Sequence, residues 1–173
     1  EVIREAVKVS NSIAKKFNHK ITWTEGLVGA AAIELTGDPY PEETHKICLN
    51  SDAVLFGAVG DPKYDNNPTA KVRPEEGLLR MRKELGLFAN IRPTYTFESL
   101  LEKSPIKKSI IQGTDLVFVR ELTGGIYFGK RGRNNAKDYA FDTCEYNVDE
   151  IKRLAKVGFE LAMKRSKKLC CID

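Results

Sequence analysis

Three arginines lie where their side chains could bind a small acid. Arg82 lies on a predicted helix, and Arg92 and Arg120 each end a predicted strand. Side chains at the strand ends of an α/β sheet commonly reach the ligand crevice, and a guanidinium group binds a carboxylate through two parallel hydrogen bonds. Three converging guanidinium groups would suit a di- or tricarboxylate. Any one of these arginines taken alone is more often part of a structural or solvent-exposed ion pair.

The predicted helix at 75–85 carries further candidate residues. Glu75, Leu78 and Arg82 are spaced i, i+3 and i+7, so they share one helical face, with Leu79 on its flank. One surface would then present an acid, two leucines and an arginine. The simpler interpretation is that the leucines belong to the core and the charges face solvent.

A tyrosine follows the strand that carries Arg120. Tyr127 comes shortly after Gly124 and Gly125, and paired glycines allow a sharp turn or a close approach of the backbone. A tyrosine in that place could donate a proton to a bound carbanion or enolate. More often, such a tyrosine is an aromatic packing element.

The elements that must position these residues are helices and strands in alternation. Helices are predicted at 1–17, from 30 to Gly37, from Pro41 onward, at 75–85, at 105–112 and after the helix cap Asn147. Strands are predicted at 20–24, 52–59, 87–91, 115–120, 126–128 and 168–173. This alternation predicts a layered α/β fold, and the apolar run at 52–59 is typical of a strand buried on both faces.

The segments between these elements are polar. A long loop at 60–74 contains Pro62, Pro68 and Pro74, and a loop of that length in a compact domain is more often functional than not. A second loop is predicted at 130–138, and residues 139–146 are predicted to form an extended arm.

Composition excludes several classes of protein. The chain has 173 residues, which suits one globular domain, and no apolar run is long enough for a membrane-spanning helix. The 28 basic and 24 acidic side chains leave a net charge of +4, which is compatible with small anionic ligands. The basic runs at 130–133 and 164–168 are typical of a solvated surface, with nucleic-acid contact as the less favoured alternative.

Two common cofactor sites are not indicated by sequence motifs. The segment at 57–60 lacks the complete G-x-G-x-x-G fingerprint, and no Walker-type phosphate loop occurs. The two histidines, and four cysteines without a Cys-x-x-Cys pair, do not indicate a zinc site. The adjacent Cys170 and Cys171 favour reduced thiols, so we expect a cytoplasmic protein.

Three motifs taken together resemble a known family of enzymes. They are Gly57–Lys63, then Arg73–Lys83 with Leu87–Pro93, and finally Val119–Gly129, which is highly specific. Over essentially its whole length the chain is similar to the isocitrate/isopropylmalate dehydrogenases, which are decarboxylating β-hydroxyacid dehydrogenases.

The resemblance implies a fold and a division into domains. We expect an α/β fold with the layered sheet and flanking helices of that family, incomplete in this chain. Residues 1–95 would be part of the cofactor-side α/β domain. Residues 96–173 would be part of the substrate and dimerisation domain, with an arm near 130–147 that reaches the second subunit of a homodimer.

The resemblance also implies how a substrate would be held. Arg82, Arg92 and Arg120 match the arginines that bind the malate carboxylates. Leu78 and Leu79 match a pair that packs against an isopropyl group, where isocitrate-type relatives carry polar residues. Burial of a small branched alkyl group should contribute on the order of 1.5–3 kcal/mol, which is enough to discriminate between side chains.

Catalytic and cofactor roles follow from the same resemblance. Tyr127 matches the proton donor that acts after decarboxylation. Glu75 matches the acid near the nicotinamide ribose, and Gly60, Asp61 and Pro74 border that end of the cofactor.

The implied activity is oxidative decarboxylation of (2R,3S)-3-isopropylmalate with NAD, as in leucine biosynthesis, assisted by Mg²⁺ or Mn²⁺. The family's catalytic lysine and metal-binding aspartates match no segment of the 173 residues, so we expect no metal site in this chain. We also expect the chain by itself to be inactive, with the activity belonging to a full-length parent. No nucleic-acid or membrane partner is expected.

Two other functions stay open. A sibling dehydrogenase acting on isocitrate, homoisocitrate or tartrate would share most of the motifs, although Leu78 and Leu79 argue against it. A module without catalytic activity would keep the fold and an anion-binding or dimerisation surface.

Overall fold

The computed structural model describes residues 2–65 and 71–172, and the chain forms two compact units, Glu1–Leu85 and Gly86–Asp173. The described helices of the first unit are α1 (Val2–Phe17), α2 (Ala30–Thr36), α3 (Glu42–Leu49), α4 (Pro62–Asp65) and α5 (Pro74–Glu84). The second unit contains β1 (Ala89–Tyr95), a 3₁₀ helix (Glu98–Lys103), α6 (Lys108–Ile111), β2 (Asp115–Glu121), β3 (Arg131–Arg133), β4 (Ala140–Asp142) and α7 (Val148–Met163). The predicted assignment of 1–95 to a cofactor side and 96–173 to a substrate side stays a prediction.

Helix α5 packs through one side that has a glycine at its centre. It begins at Pro74, where the missing N–H of proline is tolerated because the first turn has no partner for it. Pro74, Gly77 and Met81 are buried and lie on one side of the helix. A Cβ atom on Gly77 would lie 2.3 Å from the carbonyl oxygen of Pro39, so only glycine permits this approach.

The segment that precedes α3 is fixed to α5 by a charged group. Arg80 donates two hydrogen bonds to the carboxylate of Asp38, at 3.0 and 3.1 Å, and a further one to the carbonyl oxygen of Tyr40. Burial raises the pKa of Asp38, but the Tyr40 N–H and the Arg80 guanidinium more than offset this and hold that pKa below its usual value. The orientation of α5 therefore depends on one forked ion pair and one glycine contact.

The second unit is organised around an antiparallel pair of strands. In the register of β1 and β2, Asn90 lies opposite Arg120, and Arg92 lies opposite Phe118. Helix α7 packs on β2, where alternate residues Val117, Val119 and Glu121 are partly buried. The other face of the strand pair, which carries Arg92 and Arg120, is open.

Helix α7 starts at the residue that the sequence predicts. The Asn147 side chain accepts the Glu150 N–H at 3.0 Å, and the Glu150 carboxylate accepts the Asn147 N–H at 2.9 Å. This reciprocal capping box satisfies backbone N–H groups that the first turn leaves without partners.

Several predicted strands are absent from the described residues. The segments 20–24, 52–59, 126–128 and 168–172 form no strand, and Val54 and Leu55, predicted to be buried, are exposed. A strand needs a neighbouring strand to satisfy its backbone groups, and within 2–65 and 71–172 no strand pairs with the apolar run at 52–59. The prediction of a strand buried on both faces was therefore wrong for this chain.

Other boundaries differ because pairing or local turns decide them. Strand β1 continues through Arg92 to Tyr95, since a proline at 93 is tolerated in a strand with an open edge. The predicted loop at 130–138 and arm at 139–146 contain the hairpin β3–β4. The predicted loop at 60–74 includes the helical turn α4, and Pro68 lies outside the described residues. No helix in the described ranges is long and apolar enough to cross a membrane.

The two buried helical glycines predict opposite effects of an added methyl group. Gly77→Ala should lower the free energy of unfolding by about 1–3 kcal/mol, because its Cβ would overlap backbone atoms of Pro39. Gly158→Ala is the matched control, because its Cβ would lie 3.5 Å from Leu169 in ordinary contact, and it should stabilise α7 by about 0.5–1 kcal/mol. Urea unfolding followed by circular dichroism measures both, and equal effects of the two substitutions would contradict the packing described for α5.

Candidate functional site

The open face of the β1–β2 pair carries two guanidinium groups. Asn90, Arg92 and Arg120 share this face, because side chains alternate along a strand and directly opposed residues point the same way. Arg92 and Arg120 are diagonal neighbours across the pair, an arrangement within reach of long side chains. The Arg92 Nε–H donates to the Asn90 side-chain oxygen. The face therefore presents two positive charges to solvent.

Tyr127 lies against Arg120. The Arg120 Nη2 group donates to the Tyr127 hydroxyl oxygen at 2.9 Å, and the guanidinium carbon lies 5.4 Å from the centre of the tyrosine ring. The turn that carries Tyr127 is held by Arg131, whose Nη2 donates to the carbonyl oxygens of Ile126 and Tyr127 at 3.0 and 2.9 Å. Two residues of the same sequence motif, predicted to have different roles, thus form one polar contact.

A buried carboxylate fixes the end of β2. The Glu121 side chain is only 7% exposed and accepts hydrogen bonds from the Thr123 N–H, the Thr123 hydroxyl, the Gly124 N–H and Arg153. Burial raises the pKa of Glu121, but the Gly124 N–H, then Arg153 and Thr123, together hold it below its usual value. Arg153 also lies over the Phe88 ring, with its guanidinium carbon 4.7 Å from the ring centre.

The sequence motifs predicted no role for Asn90, Glu121 or Arg153. Asn90 precedes Arg92 by two positions in a strand, so period-two alternation could have placed both on one face. Arg153 carried no comparable signal, because its partner Glu121 lies 32 residues earlier in the chain.

The first unit groups the predicted residues of α5. Glu75 is exposed, while Leu78, Leu79 and Arg82 are half-buried. Glu75, Leu79 and Arg82 lie on the side of the helix that turns away from Gly77 and Met81, and Leu78 lies at the border between the two sides. Both leucines are thus less buried than the core interpretation requires. Their predicted role in substrate binding stays a prediction.

The predicted cofactor residues lie at the start of α5 and at the preceding loop. A Cβ atom on Gly60 would lie 3.1 Å from the Glu75 carboxylate oxygen, so the loop and the helix approach each other closely here. The Asp61 side chain accepts the Lys63 N–H at 3.0 Å and begins the turn α4, and Pro74 is fully buried. Because Gly60 has no side chain, space remains beside the exposed Glu75 carboxylate. A larger residue at position 60 would fill that space.

Metal-ligating residues are not clustered in this part of the chain. Within residues 2–65 and 71–172, no three histidine, cysteine, aspartate or glutamate side chains come close enough to hold a metal ion together.

Comparison with known proteins gives one consistent result. The family described as isocitrate/isopropylmalate dehydrogenase matches residues 1–173. The chain is 54% identical over 173 residues to a protein of Bacteroides fragilis named 3-isopropylmalate dehydrogenase, and this match covers the whole chain and 48% of that protein. A protein of the same name from Aquifex aeolicus is 51% identical over 176 residues, again over the whole chain and 48% of its own length.

The chain thus spans about half the length of the curated relatives it matches. Among solved structures, the crystal structure of isocitrate dehydrogenase from Methylococcus capsulatus superposes with a TM-score of 0.69 at 22% identity, covering 91% of this chain and 43% of that one. This likeness confirms the predicted α/β fold class.

The depressed pKa of Glu121 predicts an acid-sensitive fold. The carboxylate stabilises the folded state fully above its ordinary pKa of 4.5, and this contribution is lost as the pH falls through the lower pKa of the folded state. Glu121→Gln should therefore cost about 1–3 kcal/mol at neutral pH, and the difference from the wild-type protein should shrink in acid.

Urea unfolding at a series of pH values measures this effect. Glu102→Gln is the control, because the Glu102 pair with Lys108 is exposed and its loss should change stability by less than about 1 kcal/mol. A difference between Glu121→Gln and the wild-type protein that does not change with pH would show that the Glu121 charge does not stabilise this turn.

Proposed function

Because the chain belongs to the isocitrate/isopropylmalate dehydrogenase family, we propose that the intact protein catalyses the NAD-dependent oxidative decarboxylation of (2R,3S)-3-isopropylmalate in leucine biosynthesis. The observation that carries the proposal is the shared open face of Arg92 and Arg120, with the Tyr127 hydroxyl on Arg120. The names of the relatives from Bacteroides fragilis and Aquifex aeolicus support it. The activity is proposed for the intact protein, since the chain spans about half of those relatives.

The proposed substrate is a dicarboxylate, and the arginines bind its negative groups. Among the residues that the structure describes, the hydrogen-bond partners of Arg92 and Arg120 are uncharged, and each guanidinium is able to form two parallel hydrogen bonds with a carboxylate. Arg82, on the free side of α5, is proposed as a third group with the same role. Arginine suits this task because its planar fork remains charged at any pH the protein experiences.

Leu78 and Leu79 are proposed to select the alkyl branch. Both are half-buried, so apolar surface remains on α5 for a small branched group to cover. A third carboxylate in place of the isopropyl group would lose its hydration against these leucines without gaining a partner. This is the reason to favour 3-isopropylmalate over isocitrate, homoisocitrate or tartrate.

Tyr127 is proposed as the proton donor. Its oxygen accepts the hydrogen bond from Arg120, so its own O–H remains available to donate to the carbon that loses CO₂. Arg120 therefore has two functions, since it binds a carboxylate and also holds the donor oxygen in place.

The residues at the start of α5 fit one end of a nicotinamide cofactor. The exposed Glu75 carboxylate is an acceptor for ribose hydroxyls, and Gly60, Asp61 and Pro74 shape the loop beside it. When bound, NAD accepts the hydride that leaves the substrate. A divalent ion, Mg²⁺ or Mn²⁺, is implied by the family, but the described residues do not fit a metal site, so we assign none of them to it.

The proposed assembly is a homodimer in the cytoplasm. The hairpin β3–β4 lies within the predicted arm at 130–147, and its Tyr139 and Phe141 side chains are exposed. Exposed aromatic residues are enriched where subunits meet. The four cysteines are free thiols, which is consistent with a reducing compartment.

A substrate panel tests the activity. The intact protein with NAD and Mg²⁺ should form NADH with 3-isopropylmalate, and kcat/KM for isocitrate and tartrate should be at least about tenfold lower. NADH absorbance measures the rates. Equal or better turnover of isocitrate would identify the protein as a sibling dehydrogenase that acts on isocitrate. No turnover of any substrate would favour a module without catalytic activity.

Leu78→Ala tests the apolar contact. It should lower kcat/KM for 3-isopropylmalate by about 10–100-fold and change the rate with unbranched malate far less, because only the branched substrate loses apolar burial. Leu35→Ala is the control, since Leu35 is 74% exposed on α2. An equal loss of kcat/KM with both substrates would show that Leu78 supports the fold and does not contact the isopropyl group.

Tyr127→Phe tests the proton donor. The ring remains over Arg120, so KM should change little, while kcat should fall by about a hundredfold because the donated proton is missing. Tyr95→Phe is the matched control, because Tyr95 lies on the opposite face of β1. A kcat within a factor of about two of the wild-type value would exclude Tyr127 as the donor.

A further inference from the structure

We propose that Asn90 is a positioning residue of the anion-binding face, where it orients the guanidinium of Arg92 without neutralising it. The inference rests on the proposed function, which makes this face the binding site for a dicarboxylate. Its basis is the contact of Asn90 with Arg92 and its place opposite Arg120 in the β1–β2 register.

The contact uses only one edge of the guanidinium. Arginine carries five N–H groups, and Asn90 accepts the single one on Nε of Arg92. Within residues 2–65 and 71–172, the four N–H groups on its two terminal nitrogens have no hydrogen-bond acceptor and can donate to a ligand. They form the end of the fork, which binds both oxygens of a carboxylate at once.

The charge state of the partner distinguishes this arginine from the structural ones. Arg80, Arg153 and Arg165 each pair with a carboxylate, at 3.0, 2.8 and 2.6 Å respectively. Within the described ranges 2–65 and 71–172, the hydrogen bonds of Arg92 and Arg120 go to neutral oxygens, those of Asn90 and Tyr127.

A neutral partner holds a guanidinium in place and leaves its full positive charge for a ligand. A carboxylate at the same position would offset much of that charge and weaken the attraction of the guanidinium for an anionic ligand. Asn90 also adjoins both charges, because it lies opposite Arg120 and two positions before Arg92 on the same face.

Two substitutions separate positioning from mere support of the strand. Asn90→Ala removes the acceptor and should raise KM for 3-isopropylmalate about tenfold with a smaller change in kcat. Asn90→Asp has the same shape and keeps the contact with Arg92, so unfolding by urea should show equal or greater stability. Its binding of malate should nevertheless fall at least about tenfold, because the new charge neutralises Arg92.

The experiment measures malate binding by titration calorimetry in the intact protein with Mg²⁺, alongside stability and kinetics. Thr94→Ala is the matched control, because Thr94 lies on the same face of β1, two positions beyond Arg92. Stability that is kept while binding is lost in Asn90→Asp would support the inference, because a purely structural role would move both together.

The outcomes also separate this inference from the proposed function. A wild-type protein that binds malate and oxidises 3-isopropylmalate, with Asn90→Asp binding malate as tightly as wild type, would overturn the role of Asn90 alone. A wild-type protein that neither binds malate nor oxidises 3-isopropylmalate would overturn both.

Discussion

The hydrogen bonds of the Glu121 carboxylate connect the parts of the second unit on which the candidate site depends. This one side chain accepts from the turn at Thr123 and Gly124 and from Arg153 of α7. Because neighbouring residues in a strand point to opposite faces, a Glu121 held under α7 directs Arg120 to the open face. A buried and fully hydrogen-bonded carboxylate thus determines where an exposed guanidinium points.

The chain uses arginine in two distinct ways, and the partner decides which. Arg80 and Arg153 are paired with carboxylates and hold α5 and α7 in place. Among the described residues, Arg92 and Arg120 donate to uncharged oxygens, so their positive charge is available to an anionic ligand. A protein that binds a dianion needs both kinds, because guanidinium groups that repel each other stay together only on a rigid support.

In the first unit, too, contacts on one side of an element fix its position, and here the element is helix α5. Gly77 and the Arg80 ion pair fix one side of α5 against the segment around Pro39. The opposite side presents Leu79 and Arg82, which are half-buried, with Leu78 at its border. In both units, a polar anchor on one surface of an element leaves the opposite surface available for recognition.

The sequence by itself determined the elements that depend on neighbours along the chain. Helix α5, the cap at Asn147 and the end of α2 at Gly37 were predicted correctly, because their hydrogen bonds close within a few residues. The three sequence motifs were also sufficient to identify the family.

The apolar run at 52–59 was wrongly predicted to be a strand. A strand forms only with a partner strand, and the local sequence pattern does not reveal whether one is present. Only the tertiary structure decided that Arg120 contacts Tyr127, that Asn90 holds Arg92, and that Arg153 reaches Glu121. The Arg153 contact needs α7 to pack on β2 across 32 positions. The other two join residues seven and two positions apart, and they need the turn after β2 and the extended strand β1, which the pairing of β1 with β2 completes.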